Sequence, residues 1–502
     1  MFGLSWRRKS SDHRTAAHTW DLDQPLLMLS PQDAWTIRDA LEGTIGLGAT
    51  GSGKTSGSGC PIALAMLRAG FGGTVLTAKR GERELWESYC RATGRLGDLR
   101  VIGDGKLCFN FLNYEAKRPG AGGGISENIV NIFSTVLEAA DRTKSGGGGQ
   151  EDQGFWRRSM RQLVRNCVDL LLLAGVEVSI PSLYRVVISA PQNREQAAAA
   201  AWREKSLCFQ CLQKAESRAQ NPTQQRDFDL VADYFLFEFA NLSEKTRSVV
   251  VSSFTSLIDV LNRGLLRELF STTTNITPDV VEEGKIVVID LPVKEFAEIG
   301  VLAQVLWKYM FQRAIERRDV KKSPRPVFLM ADEAQYFITS YDQQFQTTCR
   351  AARVATVLLS QNVSNFYAAL GHGDAGRAEA DSLFGNLNTR IFHANGDPIT
   401  NEWASSLIGR SRQLMSNGGN SQSRDWWTAM TGLGDPGQCS AGFSEIFEYE
   451  VQPAVFTRLR TGGPANGGIV DAIVVRNGKV FRQTGKVWLP VMFRQNTELE
   501  IR

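Results

Sequence analysis

The segment Gly48-Ala49-Thr50-Gly51-Ser52-Gly53-Lys54-Thr55 constrains this chain more than any other. It fills every fixed position of the pattern GxxxxGK[ST]. Glycines allow successive backbone N–H groups to turn inward around phosphate oxygens at a helix N-terminus, where the helix dipole also favours an anion. The lysine then reaches the β- and γ-phosphates, and the threonine hydroxyl becomes a ligand for Mg²⁺. A short apolar run, Thr44–Leu47, enters the loop as a strand, and a helical stretch leaves it as far as Ala69. Gly57, Gly59 and Pro61 suit an early helix poorly, so its first turns are expected to be irregular. The nucleotide-binding candidates are Gly48, Ala49, Thr50, Gly51, Ser52, Gly53, Lys54, Thr55 and Ser56, with ATP and Mg²⁺ as the implied ligands.

A phosphate loop of this kind needs an acid on the metal side, at the end of another strand. Two strands supply one. Asp290 follows Ile286–Ile289 but is followed by Leu291-Pro292 with no second acid; Asp332 follows Val327–Ala331 and is followed at once by Glu333. Adjacent carboxylates divide the work: Asp332 holds Mg²⁺ through water while Glu333 polarises an attacking water. That pairing favours hydrolysis over phosphoryl transfer to a metabolite. Gln361 ends the strand Val354–Leu359 and would face the γ-phosphate. Arg350 lies eleven residues before it, with Arg353 beside it. An arginine there either completes a neighbouring subunit's site or covers a helix face. Arg157, Arg158, Arg161 and Arg165, next to Trp156, sit at helical spacing, and that face either contacts nucleic-acid phosphates or is merely solvated. The catalytic candidates are therefore Lys54, Glu333, Gln361 and Arg350, and the metal candidates Thr55 and Asp332.

Strands alternate with helices on both sides of a long helical stretch. Gly72–Ala78 reads as a strand followed by a helix over Glu82–Ala92, and Gly120–Gly124 and Gly146–Gly149 act as breakers. From Phe155 to about Asn262 the apolar period is helical. Strand signals return at Lys285–Asp290, Val327–Ala331, Val354–Leu359 and Thr389–His393, with an amphipathic helix over Glu295–Arg317. This alternation predicts an α/β fold with a mostly parallel sheet. The expected organisation is a polar arm over 1–30, a nucleotide-binding domain from two segments, 31–145 and 265–502, and an all-α domain inserted at 150–264. Ser416–Arg424 reads as a Gly/Asn/Ser loop. Asn477-Gly478 predicts a tight hairpin joining Ile473–Val475 to Val480–Arg482.

Composition narrows the functional classes. Across 502 residues, 57 Lys+Arg against 53 Asp+Glu leave a net charge of only +4. A histone-like wrap is excluded, so any nucleic-acid contact must be local. The eight cysteines are scattered; Cys208 and Cys211 form a lone CxxC without the further ligands zinc needs. The basic N-terminus lacks an apolar core for a secretory signal. No run reaches ~18 apolar residues, the length that spans a bilayer. A soluble, cytoplasmic chain is the expectation.

Taken in order, the phosphate loop, VLTAKRGE (75–82), FNFLN (109–113), FW (155–156), MADEAQ (330–335), RAARVATVLLSQN (350–362) and TRIFHANGDPITNEWASSLIG (389–409) resemble the type IV coupling proteins of conjugation and type IV secretion, TraG/TraD-like. The resemblance covers roughly residues 40–490. It implies a RecA-like ATPase domain carrying an all-α domain, assembled as a homo-hexamer. It also implies a motor that moves DNA, or a relaxase linked to DNA, toward secretion-channel components. Two departures stand out. That family usually has two transmembrane helices before the phosphate loop, whereas 47 residues precede it here and none spans a membrane, so any attachment to the inner membrane is expected to be peripheral and through a partner. Where relatives often carry an acid before the KGE-like turn, this chain has Ala78. Two other functions stay open: a soluble DNA pump of the FtsK/HerA type in defence, integration or packaging, and a receptor that docks relaxase or effector and uses nucleotide only to assemble.

Overall fold

The computed structural model describes residues 20–143, 150–371, 373–420 and 439–495. Thirteen strands lie among them: β1 Pro25–Met28, β2 Ala34–Thr36, β3 Thr44–Leu47, β4 Gly72–Leu76, β5 Leu99–Ile102, β6 Ile286–Ile289, β7 Val327–Ala331, β8 Val354–Ser360, β9 Thr389–Phe392, β10 Arg410–Asn420, β11 Cys439–Tyr449, β12 Ile469–Arg476 and β13 Trp488–Arg494. Nine form one sheet in the order β13-β12-β9-β3-β8-β7-β4-β6-β5. From β9 to β5 every pairing is parallel, while β12 and β13 extend the sheet antiparallel.

The apolar runs explain the middle of the sheet. β3, β6, β7 and β8 are buried at every residue, as expected of parallel strands covered by helices on both faces. One face carries the helix Val293–Glu316, which contacts the helix Ser126–Thr143. The other carries the helices Cys60–Arg68 and Glu82–Ala92. Between β5 and β6 the described residues form helices and their connections, from the helix Phe111–Lys117 to the helix Gly264–Phe270, and contribute no strand. Leu163, Val168, Leu171, Val186, Leu212 and Phe235 lie in the core of this region. Cys167, Cys208 and Cys211 are buried there too, and burial pushes all three thiols up.

Several sequence expectations need correction. The polar arm expected over 1–30 does not run that far: Pro25–Met28 pairs with Ala34–Thr36, and the Trp20 ring meets Phe71 edge-on. Its first nineteen residues lie outside the described ones, as do Gly146–Gly149. Residues 416–420, expected as loop, instead extend β10, which pairs with β11 along its whole length; 421–424 lie outside the described residues. The turn at Asn477-Gly478 is present, but Val480–Arg482 is not the returning strand, since β12 pairs with β13 and Val475 faces Trp488. Phe481 is drawn into the core instead, beneath the Arg476 guanidinium. Asp33 accepts from the N–H groups of Arg482 and Gln483 at 2.6 and 3.2 Å. Lys479 pairs with Asp39. Burial of a phenylalanine and two buried carboxylates outweigh a two-residue hairpin.

Candidate active site

The phosphate loop leaves β3 between its two neighbours in the sheet. The N–H of Gly48 donates to Ser360 O at the end of β8, and that of Ala49 to Ala394 O just past β9. Gly53 is left-handed at φ 82°, and a Cβ there would stand 2.5 Å from Val470. Residues Lys54–Gly59 form a π-helical turn in which the Cys60 N–H reaches back to Thr55 O. A Cβ on Gly57 would meet Val470 at 2.9 Å, so the missing side chain lets the turn lie against β12. The hydroxyl of Ser58 lies 3.1 Å from Lys54 O and 2.8 Å from Nε2 of His393. Burial lowers the His393 pKa to about 4, so this imidazole is neutral at physiological pH. Ser56 accepts from Gln495 at 2.7 Å. Ser52 Oγ is buried without a partner inside the loop, an orphan that a phosphate oxygen would satisfy.

Opposite the loop stands the end of β7. The hydroxyl of Thr55 donates to Asp332 Oδ2 at 2.9 Å. A hydroxyl and a carboxylate in direct contact fit the ligand set of Mg²⁺. Glu333 adopts φ 49°, a left-handed conformation rare outside glycine. Its N–H donates to Asp332 Oδ1 at 2.9 Å. The turn aims the two carboxylates differently, and strained backbone of this kind gathers at functional sites. Burial alone would raise the Glu333 pKa; Lys79, Gln335 and Lys54 overcome it and hold the carboxyl at about 2. Lys79 Nζ lies 2.8 Å from Glu333 Oε1, and Lys54 Nζ 3.6 Å from the same atom. Gln335 donates to Oε2 at 3.0 Å while its own carbonyl accepts from Ser360 at 2.7 Å. Gln361 Nε2 stands 3.4 Å from Oε2.

The structure therefore brings together Lys54, Thr55, Asp332, Glu333 and Gln361. Asp290 is elsewhere, paired with Arg83 at 3.2 Å. Arg350 is not in this cluster either. It precedes β8 and pairs with Glu42, just before β3, at 3.4 Å. Leu47 and Ser360 are partners at the other end of these two parallel strands, about 20 Å away along β8. Its side chain is 61% exposed. Arg353 is tied to Pro324 O at 2.7 Å. Arg161 and Arg165 both pair with Glu127 of the helix Ser126–Thr143, which makes them an inter-helix clasp rather than an open phosphate-binding face. The side chain of Arg157 lies outside the described residues.

Sequence reasoning gave no role to Lys79, Glu82, Gln335 or the Ser58–His393 pair. The turn Lys79-Arg80-Gly81-Glu82 follows β4, and β4 lies beside β7. Glu82 accepts from the Ala78 N–H at 2.7 Å. Burial and the charge of Asp332 raise its pKa to about 8, and the acid this turn brings near Asp332 comes from Glu82. An aromatic-walled cavity with Trp86 and Tyr89 in its lining opens beside Glu82, Thr55 and Asp332.

Residues 326–432 match the family model described as the TraM recognition site of TraD and TraG. Among solved structures, the plasmid coupling protein TrwB in complex with ADP and Mg²⁺ aligns with a TM-score of 0.58 and 14% identity, covering 92% of this chain and 87% of that one. TrwB with a non-hydrolysable ATP analogue aligns at 0.56 and 14%, covering 91% and 86%. An unbound form of bacterial conjugative coupling protein TrwBdeltaN70 aligns at 0.55 and 14%, covering 91% and 85%. No curated protein matches by sequence. The fold is thus a RecA-like P-loop domain with a mostly parallel sheet and an all-α region, and the chain resembles the TraG/TraD-like coupling proteins. No single helix among the described residues is long and apolar enough to cross a membrane.

Proposed function

We propose that this chain is an ATP-hydrolysing DNA translocase, a coupling-protein-like motor delivering DNA or DNA-linked protein to a type IV secretion or conjugation channel. One observation carries the reading: Thr55 and Lys54 touch the Asp332-Glu333 pair, and that pair lies inside the segment matched by the TraD and TraG model. A working homo-hexamer, a relaxase or other secreted substrate, and channel components as partners belong to the same proposal. So does action on the cytoplasmic side, where ATP is available, with any hold on the inner membrane supplied by a partner.

Each residue has a defined task. The loop from Gly48 to Ser56 binds the phosphates through backbone N–H groups, and Lys54 compensates their charge. Thr55 and Asp332 would hold Mg²⁺, which would offset charge on the β- and γ-phosphate oxygens. Glu333 orients and polarises the attacking water, and Gln361 senses the γ-phosphate from the strand between β3 and β7. Gln304 accepts from the Thr77 N–H at 2.6 Å and donates to Thr77 O at 2.7 Å, which ties the turn after β4 to the helix Val293–Glu316 and so to the helix it contacts, Ser126–Thr143.

The test is ATP turnover by the purified protein with and without DNA. Stimulation by DNA supports the motor. Nucleotide binding without turnover on any DNA would leave a nucleotide-gated receptor for the transferred substrate.

A further inference from the structure

We propose that Lys79 is a positioning residue for Glu333: it neutralises the catalytic carboxylate so that Lys54 is free for nucleotide. This rests on the ATPase reading in so far as Glu333 is the residue that acts on water. The observation is a shared atom. Oε1 of Glu333 faces two ammonium groups, Lys79 at 2.8 Å and Lys54 at 3.6 Å, while Oε2 faces the amides of Gln335 and Gln361. Lys54 cannot serve both the carboxylate and the phosphates at full strength. With Lys79 in place it does not have to.

The backbone beneath Lys79 is fastened from three sides. Gln304 engages both the N–H and the carbonyl of Thr77. The Lys294 N–H donates to Ala78 O at 3.0 Å. Glu82 accepts from the Ala78 N–H. The Lys79 side chain is nearly half exposed, and beyond Glu333 its second partner is Asp332 at 3.5 Å. A flexible cation on a rigid base, 2.8 Å from Glu333 and 3.5 Å from Asp332, bears first on the position of the Glu333 carboxylate.

Without Lys79, the remaining ammonium at Oε1 is Lys54, whose pull on Glu333 would compete with phosphate and turn the carboxylate away from the water. The experiment measures kcat and the affinity for a fluorescent ADP analogue with Mg²⁺, for Lys79→Met and Lys79→Arg, each in the wild-type and Glu333→Gln backgrounds. Lys79→Met should lower kcat at least about tenfold, because small displacements of a catalytic group are costly. It should also weaken nucleotide binding about threefold or more, a coupling of ordinary size for neighbouring groups. Lys79→Arg keeps the charge and should recover most of both. In the Glu333→Gln background the affinity penalty of Lys79→Met should vanish, since a neutral amide no longer competes for Lys54. An equal penalty in both backgrounds, or wild-type kcat and affinity for Lys79→Met, overturns the proposal. The affinity cycle needs no turnover, so a protein that binds nucleotide but never hydrolyses it would defeat the ATPase reading while still deciding the role of Lys79.

Discussion

The hydroxyl of Thr55 donates to the carboxylate of Asp332 at 2.9 Å, across 277 residues of chain. That contact joins the phosphate loop on β3 to the acid on β7 over the intervening β8. It places the proposed metal ligands between β3 and β7, with Glu333 one residue further on, left-handed at φ 49° and 3.4 Å from Gln361.

This division of labour predicts separable defects. Lys54→Ala and Thr55→Ala should abolish turnover and weaken Mg²⁺-nucleotide binding together. Glu333→Gln should reduce turnover by about 10²–10⁴, the scale of a lost general base, while binding nucleotide at least as tightly as wild type. Turnover and equilibrium binding, measured separately, check it. A Glu333→Gln protein hydrolysing at the wild-type rate would move the role to another acid.

What the sequence shows of this site is what lies within one motif. The phosphate loop, Asp332-Glu333 and Gln361 follow from glycine spacing and from apolar runs that end in polar residues. The contacts of Lys79 and Glu82 do not, because they depend on β4 lying next to β7, and strand order is a tertiary fact. The irregular first helical turn is foreshadowed by Gly57, Gly59 and Pro61 and is found as a π-helical turn. The Asn477-Gly478 signal misleads for the converse reason: a local preference yields to burial of Phe481 and to carboxylates some 440 residues away in sequence. Charge pairing also hides from a one-dimensional reading, since the Arg161 and Arg165 face looks open until Glu127 is set against it.

Arg161→Ala with Arg165→Ala should therefore leave the salt dependence of DNA binding unchanged, whereas losing a phosphate contact would reduce the slope by about one unit. Both side chains and Glu127 are 36–44% exposed, so the stability cost should stay within about 1 kcal/mol per pair. Salt titrations of binding and denaturant melts check the two halves. A reduced slope would return this face to the DNA path.

The buried His393 predicts a pH-dependent stability. Its pKa falls from 6.5 to about 4 on burial, so between those values the unfolded chain binds a proton that the folded one does not. Stability contributed by the neutral ring is fully present above pH 6.5 and is lost as pH falls toward 4. Thermal melts over that range should show the loss. In His393→Asn the pH dependence should be shallower, even though its melting temperature at pH 7 should be lower because the Ser58 contact beneath the phosphate loop changes.

Arg350 tests whether neighbouring subunits share a site. It stands at the opposite end of the strands from its own phosphate loop, and it is exposed. It therefore cannot stabilise charge on a nucleotide bound to its own chain. If it acts, it acts on a neighbour. Charge builds on the γ-phosphate oxygens in the transition state, and a guanidinium supplied in trans would couple hydrolysis to ring assembly. Such groups are worth ~10³–10⁵ in rate, so Arg350→Ala should lose turnover far more than nucleotide affinity. Arg353 is held to Pro324 O within its own chain and is the poorer candidate. The decisive experiment mixes inactive Lys54→Ala subunits with inactive Arg350→Ala subunits under conditions where rings form. Some mixed interfaces would then set an intact phosphate loop against an intact arginine, and activity should partly return. Mixed rings that assemble and stay silent would reduce Arg350 to a partner of Glu42.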